Sequence, residues 1–257
     1  MNKMTTIDTL TESLSSLVIN DVSKTSHIIT IQKWYRGCIQ RLKRLPLILY
    51  QIQKYLETVD FEFSFQNEDG RINSCIDEDG VISLLSNKFG AKIKKPHIRM
   101  WYDILVFDIM YGWCPVNIKT TTTTTSDNTG NLAMCVYAYT DDITIDIERN
   151  KTYENGKMSE LLIEKLKQKK YNKNNKKDYY FIVLNKSVKN DIIVNSVKGL
   201  TLLTPNNNNL PFQVNWSKNR IFHYQNIGKK VKLFIECLQR PKPSWKETFM
   251  GEIRTLE

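Results

Sequence analysis

Trp101-Tyr102-Asp103-Ile104-Leu105-Val106-Phe107, followed after a short turn by Pro115-Val116-Asn117-Ile118-Lys119, is the stretch that decides how the rest of the chain is read. Both halves are apolar and rich in the aromatic and β-branched residues that favour strands, and they predict a strand pair at about 99–109 and 113–119. An acid enters the first strand and Asn-x-Lys leaves the second. Pairing across the turn would collect Asp103, Asn117 and Lys119 at one end of the pair. Side chains alternate along a strand, so Asn117 and Lys119 share a face, with the Ile118 carbonyl available between them.

Working outward, Pro96 separates this pair from a short helix at about 77–89, whose core side is Val81, Ile82, Leu84, Leu85 and Phe89. The polar stretch from Asn67 to Gly70 leads into it. Further upstream, Ile31, Tyr35, Cys38, Leu42, Leu45, Leu49, Ile52 and Leu56 step by fours and threes along one helical face. Pro46 interrupts the run, giving two helices at about 28–44 and 46–58 joined by a kink. Residues 1–26 read as a polar leader in which Ile7, Leu10, Leu14 and Leu17 offer at most one weak amphipathic helix. Downstream, Thr120–Thr125 reads as an exposed strand end or loop. The segment 129–140 mixes helix-favouring Ala and Met with strand-favouring Val and Tyr, and leaves both assignments open. A helix at about 157–169, strands at Tyr179–Leu184 and Ile192–Leu203, a turn at Asn206–Asn209 and a helix at about 228–239 complete the pattern. Helices interspersed with apolar strands predict an α/β domain over residues 60–257, with a basic helix pair at 27–59 as an N-terminal helical extension.

The formal charge of +10 and pI of about 9.2 point to a polyanionic partner, nucleic acid ahead of a membrane surface. A Lys- and Asn-rich composition also makes a chain basic without any partner. Seven lysines between Lys165 and Lys177 read as a solvated helix end and loop. The five cysteines are scattered, with no C-x-x-C spacing and no histidine close by, which argues against zinc or a disulfide framework and for a reducing compartment. The N-terminus has no cation-led apolar segment, and no run of about 18 apolar residues occurs. The chain is therefore expected to be intracellular, cytoplasmic or nuclear, neither secreted nor membrane-bound.

The strand pair has the residue types that phosphodiester hydrolysis needs. In-line displacement builds negative charge on the attacking and leaving oxygens, and Mg²⁺ neutralises it while lowering the pKa of the attacking water. Mg²⁺ takes one or two carboxylates and fills its octahedron with waters and phosphate oxygens. Asp103 would anchor the metal, Asn117 would add an amide oxygen, and Lys119 would orient the nucleophile and offset phosphate charge. The bland alternative has Asp103 ending a strand, Asn117 satisfying a turn and Lys119 in solvent.

Arg99-Met100-Trp101-Tyr102-Asp103, Pro115-Val116-Asn117-Ile118-Lys119 and Ser126-Asp127-Asn128-Thr129-Gly130-Asn131-Leu132-Ala133 resemble the PD-(D/E)XK restriction endonuclease-like superfamily, most nearly its ScaI-like type II branch. Gly70-Arg71-Ile72-Asn73-Ser74 and Asp77-Glu78 resemble that branch's first core helix. The similarity covers about residues 68–140. It implies a mixed central sheet flanked by helices, Mg²⁺ as cofactor and double-stranded DNA as substrate, with a homodimer if each protomer cuts one strand. It also implies Asp103, Glu78 and Lys119 as catalytic residues, and Asp103, Asn117 and Glu78 as metal ligands. Asn117 departs from the usual Asp or Glu, which lowers the negative charge available to a metal. Glu78 read without the resemblance is an acid favoured by a helix N-terminus. Asp127, Asn128 and Arg99 are candidates for DNA contact, with helix capping the alternative for Asp127 and Asn128.

Ile31-Gln32, Arg36-Gly37 and Arg41 resemble an IQ motif, the basic helix gripped by calmodulin-like proteins. No acid occurs between Val22 and Leu56, while Lys24, Lys33, Arg36, Arg41, Lys43, Arg44 and Lys54 are basic. A positively flanked apolar stripe suits an acidic, Met-rich groove. It equally suits DNA phosphates or packing against the rest of the protein.

Overall fold

The computed structural model describes residues 22–41, 43–64, 70–97, 100–129, 131–145, 147, 155–174, 176–206 and 211–240. The chain divides into two units, Met1–Lys43 and Arg44–Glu257. In the first, α1 spans Val22–Arg41. The expected leader helix around Ile7–Leu17 and most of the Asn206–Asn209 turn lie outside the described residues.

The second unit opens with α2 (Leu47–Leu56), so the two helices read as a pair fall in different units. Ile48, Leu49, Ile52 and Leu56 form its buried face, the spacing of an amphipathic helix. Pro46, at φ −50 and ψ 137, is extended backbone ahead of its first turn and contributes no side-chain cap. A distant acid does that work: Asp108 Oδ2 accepts from Ile48 N at 3.2 Å, satisfying one of the donors that a helix start leaves unpaired.

Next, α3 (Gly70–Phe89) leads through a short 3₁₀ turn to β1 (Ile93–Lys94), β2 (Ile104–Asp108) and β3 (Gly112–Thr121). This helix begins seven residues earlier than the expected 77 (70 against 77), the polar stretch before Asp77 being helical rather than loop. Strand β2 begins at Ile104 rather than near 99, because Trp101–Asp103 bends and Asp103 bonds to β3 through its side chain. The remaining elements are β4 (Ser126–Asn128), α4 (Leu132–Tyr139), α5 (Asn155–Lys167), β5 (Tyr180–Asn185), β6 (Ile192–Ser196), β7 (Gln213–Asn215) and α6 (Ile227–Gln239).

The segment left open at 129–140 is the helix α4. Its N-cap is Asn131, whose side chain accepts from Met134 N at 2.8 Å, and Asp127, expected as a cap, lies in β4 instead. The strand expected over Ile192–Leu203 stops at Ser196, where a turn through Gly199 begins. A Cβ at Gly199 would lie 2.2 Å from Asn195 Oδ1 and 2.3 Å from the Phe222 ring, so that close approach excludes a side chain.

Five strands form one mixed sheet in the order β1-β2-β3-β5-β6, with β3 and β5 parallel and the other neighbours antiparallel; β4 and β7 form a second, two-stranded sheet. Helices α2 and α3 pack on the large sheet, and α4 packs with α5 and α6. The class is α/β, a mixed sheet flanked by helices, as the periodicity predicts. The parallel central pair is buried throughout β5, as strands covered on both faces are. The largest core joins Phe181, Val183, Ile193, Tyr139, Trp216 and Phe234. Among the described residues no helix is long and apolar enough to cross a membrane.

Asp108 ties the sheet to α2 while its Oδ1 accepts from Met110 N at 2.8 Å and Tyr111 N at 3.2 Å in the β2–β3 turn. Removing it leaves three buried or half-buried donors unmet. Asp108→Ala should lower unfolding stability by about 2–4 kcal/mol in urea titration, and Asp108→Asn, which keeps one oxygen, by less.

Candidate active site

The β2–β3 ladder ends with Ile104 opposite Val116, and Asp103 N donates to Val116 O at 3.0 Å. Beyond this point β3 runs on beside β5, so the Ile118 N–H on the β2 side needs another acceptor. The Asp103 carboxylate provides it. Its Oδ2 accepts from Ile118 N and from Asn117 Nδ2, each at 2.7 Å. Asp103 and Asn117 are thus bound together, as the sequence places them.

Along β3 the half-buried Asn117, Lys119 and Thr121 alternate with buried Ile118 and Thr120, the period-2 pattern of one shared face. Lys119 Nζ forms an ion pair with Glu78 Oε1 of α3 at 3.3 Å, with side-chain exposures of 26% and 18%. Glu78, forty-one residues away in sequence, therefore meets the strand end that holds Asp103 and Asn117.

The electrostatics bind the cluster together. Burial pushes the Glu78 carboxyl above the ordinary glutamate value; Lys119 opposes this, and the Asp103 charge adds to it. Burial likewise raises Asp103, against the pull of the Ile118 N–H and Lys119. Both acids are short of solvation, and each would gain from a nearby cation.

Asp127 belongs to the same neighbourhood. The chain reverses through Thr123, a buried residue at φ 62, conformationally costly for a β-branched side chain. Asp127 returns against β3, and its Oδ1 accepts from Thr121 Oγ1 at 3.1 Å. Burial raises its pKa, with Thr121, Lys119 and the nearby Trp216 indole all opposing. Its Oδ2 is buried without a hydrogen-bond partner.

Asn128 faces elsewhere, its Oδ1 accepting from Asn206 Nδ2 at 2.6 Å and Gln213 Nε2 at 3.0 Å. Arg99 lies outside the described residues.

Sequence reasoning missed two members of the cluster, Thr121 and Lys186. Lys186 follows β5, donates its backbone N–H to Thr121 O at 2.8 Å, and places Nζ 2.7 Å from Asp77 Oδ2 in an ion pair. Asp77 Oδ1 accepts from Ser64 N at 2.7 Å, and the Lys186 charge reaches Glu78. Only the parallel β3–β5 register, Thr121 opposite Asn185, brings Lys186 here.

Among the described residues no three His, Cys, Asp or Glu side chains converge closely enough to hold a metal ion. Two carboxylates satisfy what Mg²⁺ asks of a protein, and Glu78 and Asp103 are desolvated and coupled. The orientation of Asn117 adds to the fit. Its Nδ2 must face the Asp103 carboxylate, which leaves Oδ1 buried with no hydrogen-bond partner. An orphaned amide oxygen on a side chain bound to Asp103 is a hard donor of the kind a small divalent cation takes.

On α1, Ile31 is exposed at 50% and Trp34 at 66%, with Arg36 also exposed and Gln32 and Gly37 half-buried. Arg41 closes the helix.

Fold and site together define an α/β protein whose mixed sheet carries a carboxylate–lysine cluster where β2 gives out. No protein-family model matches the chain, and no curated protein or solved structure matches it.

Because burial raises Glu78, the folded protein retains a proton there that the unfolded chain releases, so this group's contribution to stability falls as pH rises from about 4 through the folded value. Glu78→Gln does not titrate. Urea titrations between about pH 4 and pH 7 should show its stability gaining on the parent's as pH rises; curves that stay parallel would exclude a raised Glu78.

Proposed function

We propose that the chain is a metal-dependent endonuclease hydrolysing phosphodiester bonds of double-stranded DNA, with a PD-(D/E)XK restriction endonuclease-like core of the ScaI-like type II kind. The observation that carries this reading is the meeting of Lys119 and Glu78 at 3.3 Å beside Asp103, three groups from separate elements. Those are the residue types such hydrolysis needs, at the end of a strand that Asp103 does not let β2 cover.

Glu78 and Asp103 would hold Mg²⁺, with Asn117 Oδ1 as a neutral ligand. The bound ion would lower the pKa of the attacking water and offset charge on the phosphate. Lys119 would offset charge on the scissile phosphate and orient the attacking oxygen. Asn117 donates to Asp103 and fixes which carboxylate oxygen faces outward. The formal charge of +10 favours association with the DNA backbone, and a homodimer follows if each protomer cuts one strand.

The Asn117–Asp103 bond supports a second reading, a protein that binds DNA without turnover. The amide adds no negative charge and occupies one Asp103 oxygen. The exposed Ile31 and Trp34 on the acid-free α1 support a separate role for that helix, gripping an acidic partner of calmodulin type. Calorimetric titration of calmodulin into the full chain should give saturable heat that Ile31→Asp abolishes; no heat removes this role.

The central test is nicking of supercoiled plasmid with Mg²⁺. Asp103→Asn, which keeps an acceptor for the Ile118 N–H, and Lys119→Met should each slow cleavage by about a hundredfold or more with unchanged circular dichroism. Mg²⁺ should also raise the parent's Tm but not that of Glu78→Gln. Cleavage surviving in both variants refutes the site. Tight binding without nicking, with activity gained in Asn117→Asp, identifies the second reading.

A further inference from the structure

We propose that an open groove on the α/β unit, walled by Trp113 and Tyr137 and edged by Lys176 and Lys177, binds unpaired nucleotides of a nucleic-acid strand. The groove encloses about 380 Å³ and is also lined by Tyr111 and Ile143, within the roughly 300–1,000 Å³ of small-ligand sites. It is distinct from the carboxylate–lysine cluster. Trp113 is the second residue of β3 and Lys119 is six residues further along it, roughly 20 Å at about 3.3 Å per residue.

Two features of the lining select the occupant. The first is aromatic surface beside cations: Lys94 Nζ stands 4.1 Å from the ring centroid of the half-buried Trp113, while Tyr137 behind it is buried, with Lys177 Nζ 5.0 Å from its centroid. Ile143, 82% exposed, extends the apolar floor to the rim. The second is charge of one sign. The charged lining residues are Lys176 and Lys177, and among the described residues no carboxylate joins them. The nearby Asp142 is buried, ion-paired with Lys165 at 3.0 Å, and presents only its backbone oxygen to Lys177 Nζ, at 2.5 Å. Thus Lys177, the last of the lysine run that follows α5, lies against an aromatic ring, while Lys173 and Lys176 are exposed.

A planar apolar face together with an anion is the chemistry of a nucleotide: the base stacks on Trp113 and the phosphate lies among the lysines. A duplex hides its base faces within its own stack, so the strand must be unpaired. An apolar peptide would use the aromatic wall but not the cations. The groove would act whether or not the other site cleaves, since neither Asp103 nor Lys119 lines it.

The test is fluorescence anisotropy of a labelled oligothymidine with the full chain in EDTA, where no metal-dependent cleavage occurs. The same oligomer with abasic sites and a duplex of equal length serve as competitors. The base-containing strand should bind about tenfold more tightly than the abasic one, and Trp113→Ala should erase that preference. Lys94→Glu with Lys176→Glu, both exposed, should weaken binding and reduce the salt slope by about 0.7 per lysine. Asp103→Asn should bind as the parent does, which separates this site from the proposed nuclease centre. Equal affinity for the abasic strand, tighter binding of the duplex, or the parent's affinity retained in the double-lysine variant would overturn the proposal.

Discussion

A single carboxylate oxygen governs both the sheet and the site. Asp103 Oδ2 takes two N–H groups at 2.7 Å, one from the Ile118 backbone and one from the Asn117 side chain. Hydrogen bonds to an ionised acceptor are worth about 1.5–3 kcal/mol, roughly twice those between neutral groups. They hold the end of β3 where the β2 ladder has stopped. Covering that edge with another residue of β2 would satisfy the same N–H but bury the strand end. Using a side chain instead leaves Lys119 and Thr121 open to α3 and β4, and Glu78 and Asp127 enter through that opening. Its cost is desolvation, visible in the upward displacement of the Asp103 carboxyl. Lys119 offsets part of that cost, so the lysine stabilises the fold as well as giving the site its charge.

Aromatic packing holds this arrangement rigid from behind. Trp101, two residues before Asp103, lies against Tyr179 at 5.5 Å and Tyr137 at 4.9 Å between ring centroids. Its carbonyl accepts from both Asn131 Nδ2 and Tyr179 Oη, each at 3.1 Å. The bend at 101–103 is therefore fixed by Tyr179, just before β5, and by the cap residue of α4, positions that sequence places far downstream. A loosely held Asp103 would lose the double acceptor geometry, and rigid support of this kind is what sites built on a sheet require.

What the sequence revealed about the site was what one strand and its neighbour encode. Alternation placed Asn117 and Lys119 on one face, and the hairpin placed Asp103 beside them, because both are local consequences of extended backbone and a short turn. Glu78 came from the resemblance, which also put Gly70–Ser74 in the first core helix; the apolar periodicity alone begins near Asp77, although α3 starts at Gly70. Lys186 stayed hidden because its proximity depends on which strands run parallel, a choice made by the crossover through α4 and α5. Thr121 stayed hidden because the pattern predicts a strand ending at Lys119, whereas β3 runs on to Thr121. Asp127 misled for a physical reason. Asp and Asn both cap helices, and Asn131, four residues later, is the one whose side chain reaches a free N–H. The segment 129–140 resolved as helix although its Val and Tyr favour strand, since six consecutive residues, Met134 to Tyr139, are buried. A helix enclosed on all sides has no amphipathic period to read.

Asn117 shows how tightly charge and geometry are coupled here. An acid at this position would add negative charge for a metal. An acid has no N–H to give Asp103 Oδ2, and two ionised carboxylates in contact would repel strongly in a site already short of water. Either one would have to take up a proton or a cation would have to lie between them. The amide removes that demand: it donates to one acid, keeps its own oxygen buried and unpaired, and lets the cluster stand with Lys119 as its nearest compensation. The amide thus favours a cluster that stands without an ion, at the expense of the electrostatic pull that an acid at this position would exert on one.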